Sequence, residues 1–252
     1  MKDLTGKVVL LTGGAQGLGA EFACSFAGYG AKVVIADWKD AGSTIERVER
    51  NGGEAWARKV DVRDATHLDS LVKEIIAVYG RVDVLVNCAA IAVDLNMKPF
   101  YEIDREDWQR VMDVNATGTF ECMKAVAPHM ISQRSGKIIN IASTTYVKGA
   151  ARMLHYVASK GAVVGMTRVA ARDLGAFDIT VNCIAPGLTM TDAVREKSPF
   201  SAQGNLASID SRALKREQLP SDLFGAVLFL SSQMSDFISG QTLVVDGGGV
   251  ML

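Results

Sequence analysis

Tyr156 and Lys160 stand four residues apart in the stretch Tyr156-Val-Ala-Ser-Lys160. That spacing puts a phenol and an ammonium on one face of a helix, one turn apart. The following run, Gly161 to Leu174, has no proline and reads as helix. A free tyrosine titrates near pH ~10, so its phenol is protonated at neutrality. A neighbouring lysine cation favours the phenolate. Tyr156 is therefore cast as an acid/base group for an alcohol or carbonyl oxygen, and Lys160 as the residue that tunes it. Tyr-x-x-x-Lys pairs also arise by chance in helices, so the weight of this one depends on the elements around it.

Those elements begin with Lys7-Val-Val-Leu-Leu-Thr12, an aliphatic run that reads as a buried strand. It enters Thr12-Gly13-Gly14-Ala15-Gln16-Gly17-Leu18-Gly19 and then a helical pattern with Ala23, Phe26 and Ala27 on one side. A glycine turn feeding a helix presents backbone N–H groups and the positive end of the helix dipole, which suits a pyrophosphate. The spacing of Gly13, Gly17 and Gly19 differs from G-x-G-x-x-G, and a glycine turn holding no ligand is the alternative. The next strand, Lys32 to Ala36, ends in Asp37, eighteen residues past Gly19. A carboxylate there accepts from ribose hydroxyls and repels a 2′-phosphate. Gln16 and Trp38 supply no cation to offset it, so the cofactor reads as NAD. Lys39 is the one nearby positive charge.

Strand and helix then alternate: helix 41–51, strand 54–60, helix 64–79, and strand 82–86 ending at Asn87. A long helix at 105–132 contains Asn115 and has Pro128 near its end, and strand 137–142 ends at Ser143. After the helix of Tyr156 come strand 179–184 ending at Pro186-Gly187, an irregular stretch, helix 221–231 and strand 241–245. Such alternation predicts an α/β fold, a parallel sheet with helices on both faces and ligands at the carboxyl ends of its strands. No linker or repeat interrupts residues 1–252, so a single domain is expected.

Composition narrows the function classes. With 252 residues, 48% apolar, Gly 24 and Pro 5, the chain reads as a soluble globular protein. A net charge of −1 gives no field for nucleic acid or an anionic membrane. There is no apolar run of membrane-spanning length and no charged-then-apolar leader at Met1, so a cytoplasmic location is expected. Cys24, Cys88, Cys122 and Cys183 are scattered, without a C-x-x-C pair, which favours reduced thiols over zinc or disulfides. No metal is expected.

With Thr12-Gly13-x-x-x-Gly17-x-Gly19, Asp37, Asp61, Asn115, Ser143, Tyr156-x-x-x-Lys160 and Pro186-Gly187 in order, the chain resembles the short-chain dehydrogenase/reductase family over nearly its whole length. The resemblance implies a Rossmann-type doubly wound sheet. It implies that Tyr156 exchanges the proton of the reacting oxygen, that Lys160 binds the nicotinamide ribose and lowers the tyrosine pKa, and that Ser143 hydrogen-bonds the substrate oxygen. Asn115, in Val114-Asn-Ala-Thr-Gly118, would help hold a proton-relaying water. Cofactor contacts are implied for Gly13, Gln16, Gly17, Leu18, Gly19, Asp37, Asn87, Cys88 and Ala89. Asp61 and Val62 would lie near the adenine, and Pro186, Gly187, Thr189 and Thr191 around the nicotinamide, with Tyr156 and Lys160. One departure stands out: the family's N-N-A-G appears as Asn87-Cys88-Ala89-Ala90, and Ala90 in place of glycine is expected to alter the turn past the ribose.

The reaction so implied is hydride transfer between NAD and a secondary alcohol or ketone. Ser143-Thr-Thr-Tyr146 and the second half are similar to family members acting on aromatic or ring-bearing alcohols, such as phenylethanol and pyridoxal dehydrogenases. Two alternatives stay open: an NADPH-dependent 3-oxoacyl-thioester reductase, which should want a cation near Asp37, and a non-catalytic dinucleotide sensor. Residues 188–219 would cover the substrate, with Met190, Phe200, Leu206, Ile209 and Leu214 as an apolar lid joined by Met153, Leu154 and Val147, or else as core and subunit contacts. His155 is assigned a structural or surface role. Ala158, Gly161, Ala162 and Gly165, with the apolar tail Val250-Met-Leu252, suggest a homo-oligomer, and the resemblance points to a tetramer.

Overall fold

The computed structural model describes residues 4–197 and 203–251. In chain order these form β1 (Val8–Thr12), α1 (Gly17–Gly28), β2 (Lys32–Asp37), α2 (Gly42–Arg50), β3 (Glu54–Lys59), α3 (Ala65–Tyr79) and β4 (Val84–Asn87). The second half runs α4 (Arg105–Met112), α5 (Gly118–Gln133), β5 (Gly136–Ile141), α6 (Thr145–Lys148), α7 (Leu154–Leu174) and β6 (Ile179–Pro186). It closes with α8 (Asp192–Lys197), α9 (Gln203–Ser211), α10 (Ser221–Ser231) and β7 (Thr242–Val245). Phe200 and Leu252 lie outside the described residues.

All the sheet pairings are parallel, in the order β3-β2-β1-β4-β5-β6-β7. Each central strand buries both faces. In β1, Val9 and Leu11 pack with Phe22, Phe26 and Leu223 on one side, while Val8 and Leu10 pack with Leu68, Leu71 and Val126 on the other. Burial on both sides is why these strands read as unbroken apolar runs. Successive strands leave β1 in opposite directions, toward β2 and toward β4, so a crevice opens where their carboxyl ends part.

The long helix of the sequence reading is divided. Residues 113–117, Asn115 among them, form a π turn between α4 and α5, and Pro128 sits inside α5 near its end, where the sequence reading put it. A single extra residue per turn is invisible to a 3.6-residue period. The irregular stretch after Gly187 contains α8 and α9. Among the described residues no helix is long and apolar enough to cross a membrane, and no group of His, Cys, Asp and Glu could hold a metal ion. All four cysteines are free.

Candidate active site

At the end of β1, Gly13 adopts φ +73, and a Cβ there would come 2.6 Å from the Ala89 Cα. Gly17 has φ +58, and a side chain on Gly19 would strike the Gly13 carbonyl. The turn thus needs its glycines for a left-handed backbone and for close approach. Thr12 Oγ1 accepts from the N–H groups of Cys88 and Ala89, both at 3.2 Å, which ties the end of β1 to the end of β4. Ala90 is not among the positive-φ residues. Alanine therefore carries no left-handed backbone strain there.

Asp37, 6% exposed at the end of β2, accepts from Ala15 N and Lys39 N, each at 2.9 Å. Both bonds come from main chain, so the carboxylate holds the glycine turn and keeps lone pairs toward the crevice. Lys39 Nζ donates to Gln16 Oε1 at 3.0 Å and lies over the Trp38 ring, so this cation is engaged away from Asp37. Asp61 is gripped by Arg63, with Nη2 at 2.6 Å, and those hydrogen bonds hold its pKa low.

On the other flank, Tyr156 and Lys160 are 9% and 4% exposed on α7, with Lys160 Nζ 5.8 Å from the centre of the tyrosine ring. Burial pushes the Lys160 pKa down to about 8, against the smaller upward pulls of Cys88 and Cys183. Its ammonium donates to the Ile141 carbonyl at 2.7 Å, anchoring α7 to the end of β5. Burial raises the Tyr156 pKa, and a hydrogen bond with Ser143 only partly opposes it. In the protein by itself burial is the largest influence on the phenol, and it favours the neutral form. Ser143 Oγ accepts from Thr145 Oγ1 at 3.0 Å and Thr145 N at 3.3 Å, so its own hydrogen is left to donate.

Asn115 is fully buried in the π turn. Its Oδ1 accepts from Ile91 N at 2.7 Å, while Nδ2 donates to Ile91 O at 3.1 Å and Ser159 Oγ at 3.0 Å. Its carbonyl accepts from Thr119 Oγ1 at 2.8 Å. The Asn115 side chain thus clamps the loop after β4 to α7. Ser159 completes this clamp by donating to the Tyr156 carbonyl at 2.7 Å. Sequence reasoning missed Ser159, because nothing in its spacing distinguishes it from any other helical serine.

One cleft of about 760 Å³ runs from Asp37 and Trp38 to Tyr156. Gly13, Gln16, Gly17, Leu18, Gly19, Asp61, Val62, Cys88, Ala89, Ser143, Lys160, Pro186, Gly187, Thr189 and Thr191 line it as well. Asn87 and Asn115 stand behind the wall, Asn87 bonded through Nδ2 to Asn140 at 2.8 Å. The lid expectation fares differently. Leu206 and Leu214 are 61% and 60% exposed, and Val147 and Leu154 also face outward, while Met190 is buried beside the wall rather than in it. Met153, one of the residues expected to join the lid, does line the cleft, as do Leu188 and Val194. His155 is buried, not at the surface; its Nδ1 accepts from Tyr156 N at 3.0 Å, capping α7, and burial holds its pKa low.

Comparison with known proteins agrees with this geometry. A family profile described as enoyl-(acyl carrier protein) reductase matches residues 13–249. A 3-oxoacyl-[acyl-carrier-protein] reductase of Synechocystis sp. is 38% identical and is covered end to end, as is this chain. A Brucella melitensis 3-oxoacyl-[acyl-carrier protein] reductase with bound NAD superposes with TM-score 0.89 at 31% identity, covering 99% of this chain and 94% of that one. Carveol dehydrogenase from Mycobacterium avium, in complex with NAD, does so with TM-score 0.90 at 28% identity over 98% of both chains. Sheet order, glycine turn and relatives of matching length together show that this chain belongs to the short-chain dehydrogenase/reductase family and is an oxidoreductase of that type.

Proposed function

We propose that the protein is an NAD-dependent oxidoreductase acting on a secondary alcohol or ketone, with aromatic and cyclic compounds the first to try. The observation that carries the proposal is a buried phenol, Tyr156, sharing the wall of one cleft with Ser143 and placed one helical turn from buried Lys160, with Asp37 at the far end. That cleft fits a nicotinamide dinucleotide: N–H groups at the start of α1 for the pyrophosphate, and the buried Asp37 carboxylate for the ribose hydroxyls. When bound, such a cofactor supplies the hydride acceptor or donor. Cleft residues from Gly13 to Thr191 would hold it, and Lys160 would reach its nicotinamide ribose.

The chain's own groups manage the proton and the oxyanion. In reduction, the Tyr156 phenol, kept protonated by burial, gives its proton to the carbonyl oxygen while Ser143 donates a hydrogen bond to the same atom. In oxidation, the Tyr156 phenolate, stabilised by the Lys160 ammonium, takes the alcohol proton and becomes the phenol. Asn115 holds the π turn and, through Ser159, the pitch of the helix that carries both groups. In this reading residues 1–252 work as one domain, 188–219 cover the substrate, and the enzyme acts in the cytoplasm as a homotetramer. Gly161 and Gly165 leave the outer side of α7 open to close approach, and a monomeric elution profile would count against the tetramer.

The decisive measurement is NADH oxidation over a panel of aromatic, cyclic and aliphatic ketones. Tyr156→Phe should lose about 10²–10⁴-fold in turnover while binding NAD unchanged; full activity in that variant refutes the assignment. The second reading, a 3-oxoacyl-thioester reductase, is favoured by the name of the 38% identical relative. Asp37 weighs against its NADPH-dependent form, and a thioester substrate tests it directly. Hydride transfer to any member of the panel excludes a non-catalytic sensor.

A further inference from the structure

Among the described residues, four cations line the cleft: Lys39, Arg63, Lys160 and Arg110. Three of them are held by short bonds. Lys39 reaches Gln16 at 3.0 Å, Arg63 reaches Asp61 at 2.6 Å, and Lys160 reaches the Ile141 carbonyl at 2.7 Å. Arg110 is not. Its only hydrogen bonds come from Nη2, to the Asp94 carbonyl at 3.4 Å and Asp107 Oδ1 at 3.5 Å, both at the outer limit of the interaction. A guanidinium carries five N–H donors in a planar fork, and among the described residues none accepts from Nε or Nη1 of this side chain, which is 37% exposed. Asp107 does not neutralise it alone, because its other oxygen accepts from Asn96 at 2.8 Å and Lys98 at 3.4 Å. Asp94, the acidic residue at this end of the wall, is exposed and meets Arg110 through its carbonyl rather than its carboxylate.

The position is set by packing. Arg110 lies in α4, which runs against α7, and its neighbour Val111 is fully buried with Met153 and Tyr156. Ile91 and Met153, which pack with Val111 and Tyr156, line the same cleft as Arg110 and give it an apolar wall. We propose that Arg110 is a carboxylate-binding residue, so that the substrate is an oxo acid or hydroxy acid whose apolar body spans from the reacting carbon at Tyr156 to an anionic group at the guanidinium. Arg110 is suited to this because its fork pairs two parallel N–H groups with the two oxygens of a carboxylate. The inference rests on the oxidoreductase reading above and names the substrate class for that same cleft.

The test compares acids with their uncharged esters. 4-Oxopentanoate, 5-oxohexanoate and 4-acetylbenzoate are assayed beside their methyl esters, with NADH, in the native enzyme and in Arg110→Met and Arg110→Lys. At least one acid should exceed its ester in kcat/KM by about 10-fold. Arg110→Met should cut the acid by about 10–100-fold, the range for a charge-assisted pair, and leave the ester within about twofold. Arg110→Lys should restore part of the loss, because it returns the charge without the fork. Esters reduced as well as the acids, or an acid-to-ester ratio that Arg110→Met leaves unchanged, overturns the carboxylate site and leaves the oxidoreductase reading standing. Failure of every acid, every ester and the uncharged ketone panel overturns both. Turnover of the N-acetylcysteamine thioester of 3-oxobutanoate above all the acids, unmoved by Arg110→Met, also overturns the proposal.

Discussion

The Lys160 ammonium is held out of water on α7, 4% exposed. Its folded pKa of about 8 lies below the ordinary lysine value of 10.5. Between those two values the unfolded chain binds a proton that the folded chain has released, so this group makes stability rise with pH across that window. The cost of its buried charge is full below pH 8 and fades above it. Urea unfolding of the cofactor-free protein at pH 7.5, 8.5 and 9.5 should therefore show a steeper upward trend in the native chain than in Lys160→Met. Parallel trends would remove the buried-cation account. Using the pair as a difference cancels the cysteines, whose thiols burial pushes up to about 12 at Cys88, Cys122 and Cys183. Asp37 makes a second prediction at this scale. Because its carboxylate repels a 2′-phosphate, Asp37→Ser should raise the NADPH to NADH ratio of kcat/KM by about 10-fold, the factor that ~1.4 kcal/mol represents. An unchanged ratio would mean that Lys39 or Arg63 already governs this end of the cleft.

At the scale of elements, two joints decide whether the site exists. The first is the β1–α1 turn, where Gly19 faces the Gly13 carbonyl with no room for a side chain. Gly19→Ala should lower NAD affinity by about 10-fold or more, since the displaced turn takes the N–H cradle with it; titration of NADH fluorescence measures this, and unaltered affinity would place the pyrophosphate elsewhere. The second joint is the π turn, where Asn115 bonds at once to the loop after β4 and to Ser159 on α7. Ser159→Ala leaves the buried Asn115 amide short of an acceptor and should cost about 1–3 kcal/mol. Urea unfolding reads that loss, and a cost near zero would show that the clamp contributes nothing to α7.

For the whole molecule, the parallel sheet makes the crevice and places its two functional ends on different strands: Asp37 after β2, Ser143 after β5. A ligand that bridges them should stabilise the entire fold. Saturation with NAD at 100 times its Kd should add about 2.7 kcal/mol, seen as a rise in Tm, and NADP at equal concentration should add less. Equal shifts would contradict the preference assigned to Asp37.

The sequence by itself determined the strand–helix alternation, the glycine turn, the acid at the end of β2 and the Tyr156–Lys160 spacing. All of these depend on neighbours within a turn or a strand, where period and backbone freedom are written into adjacent residues. Only the tertiary structure decided the direction of the Tyr156 pKa, the engagement of Asn115 by Ile91 and Ser159, the outward face of Leu206 and Leu214, and the loosely held Arg110 on the cleft wall. Those outcomes depend on burial and pairing between segments far apart in the chain, and no local pattern records which distant surfaces will exclude water from a given side chain.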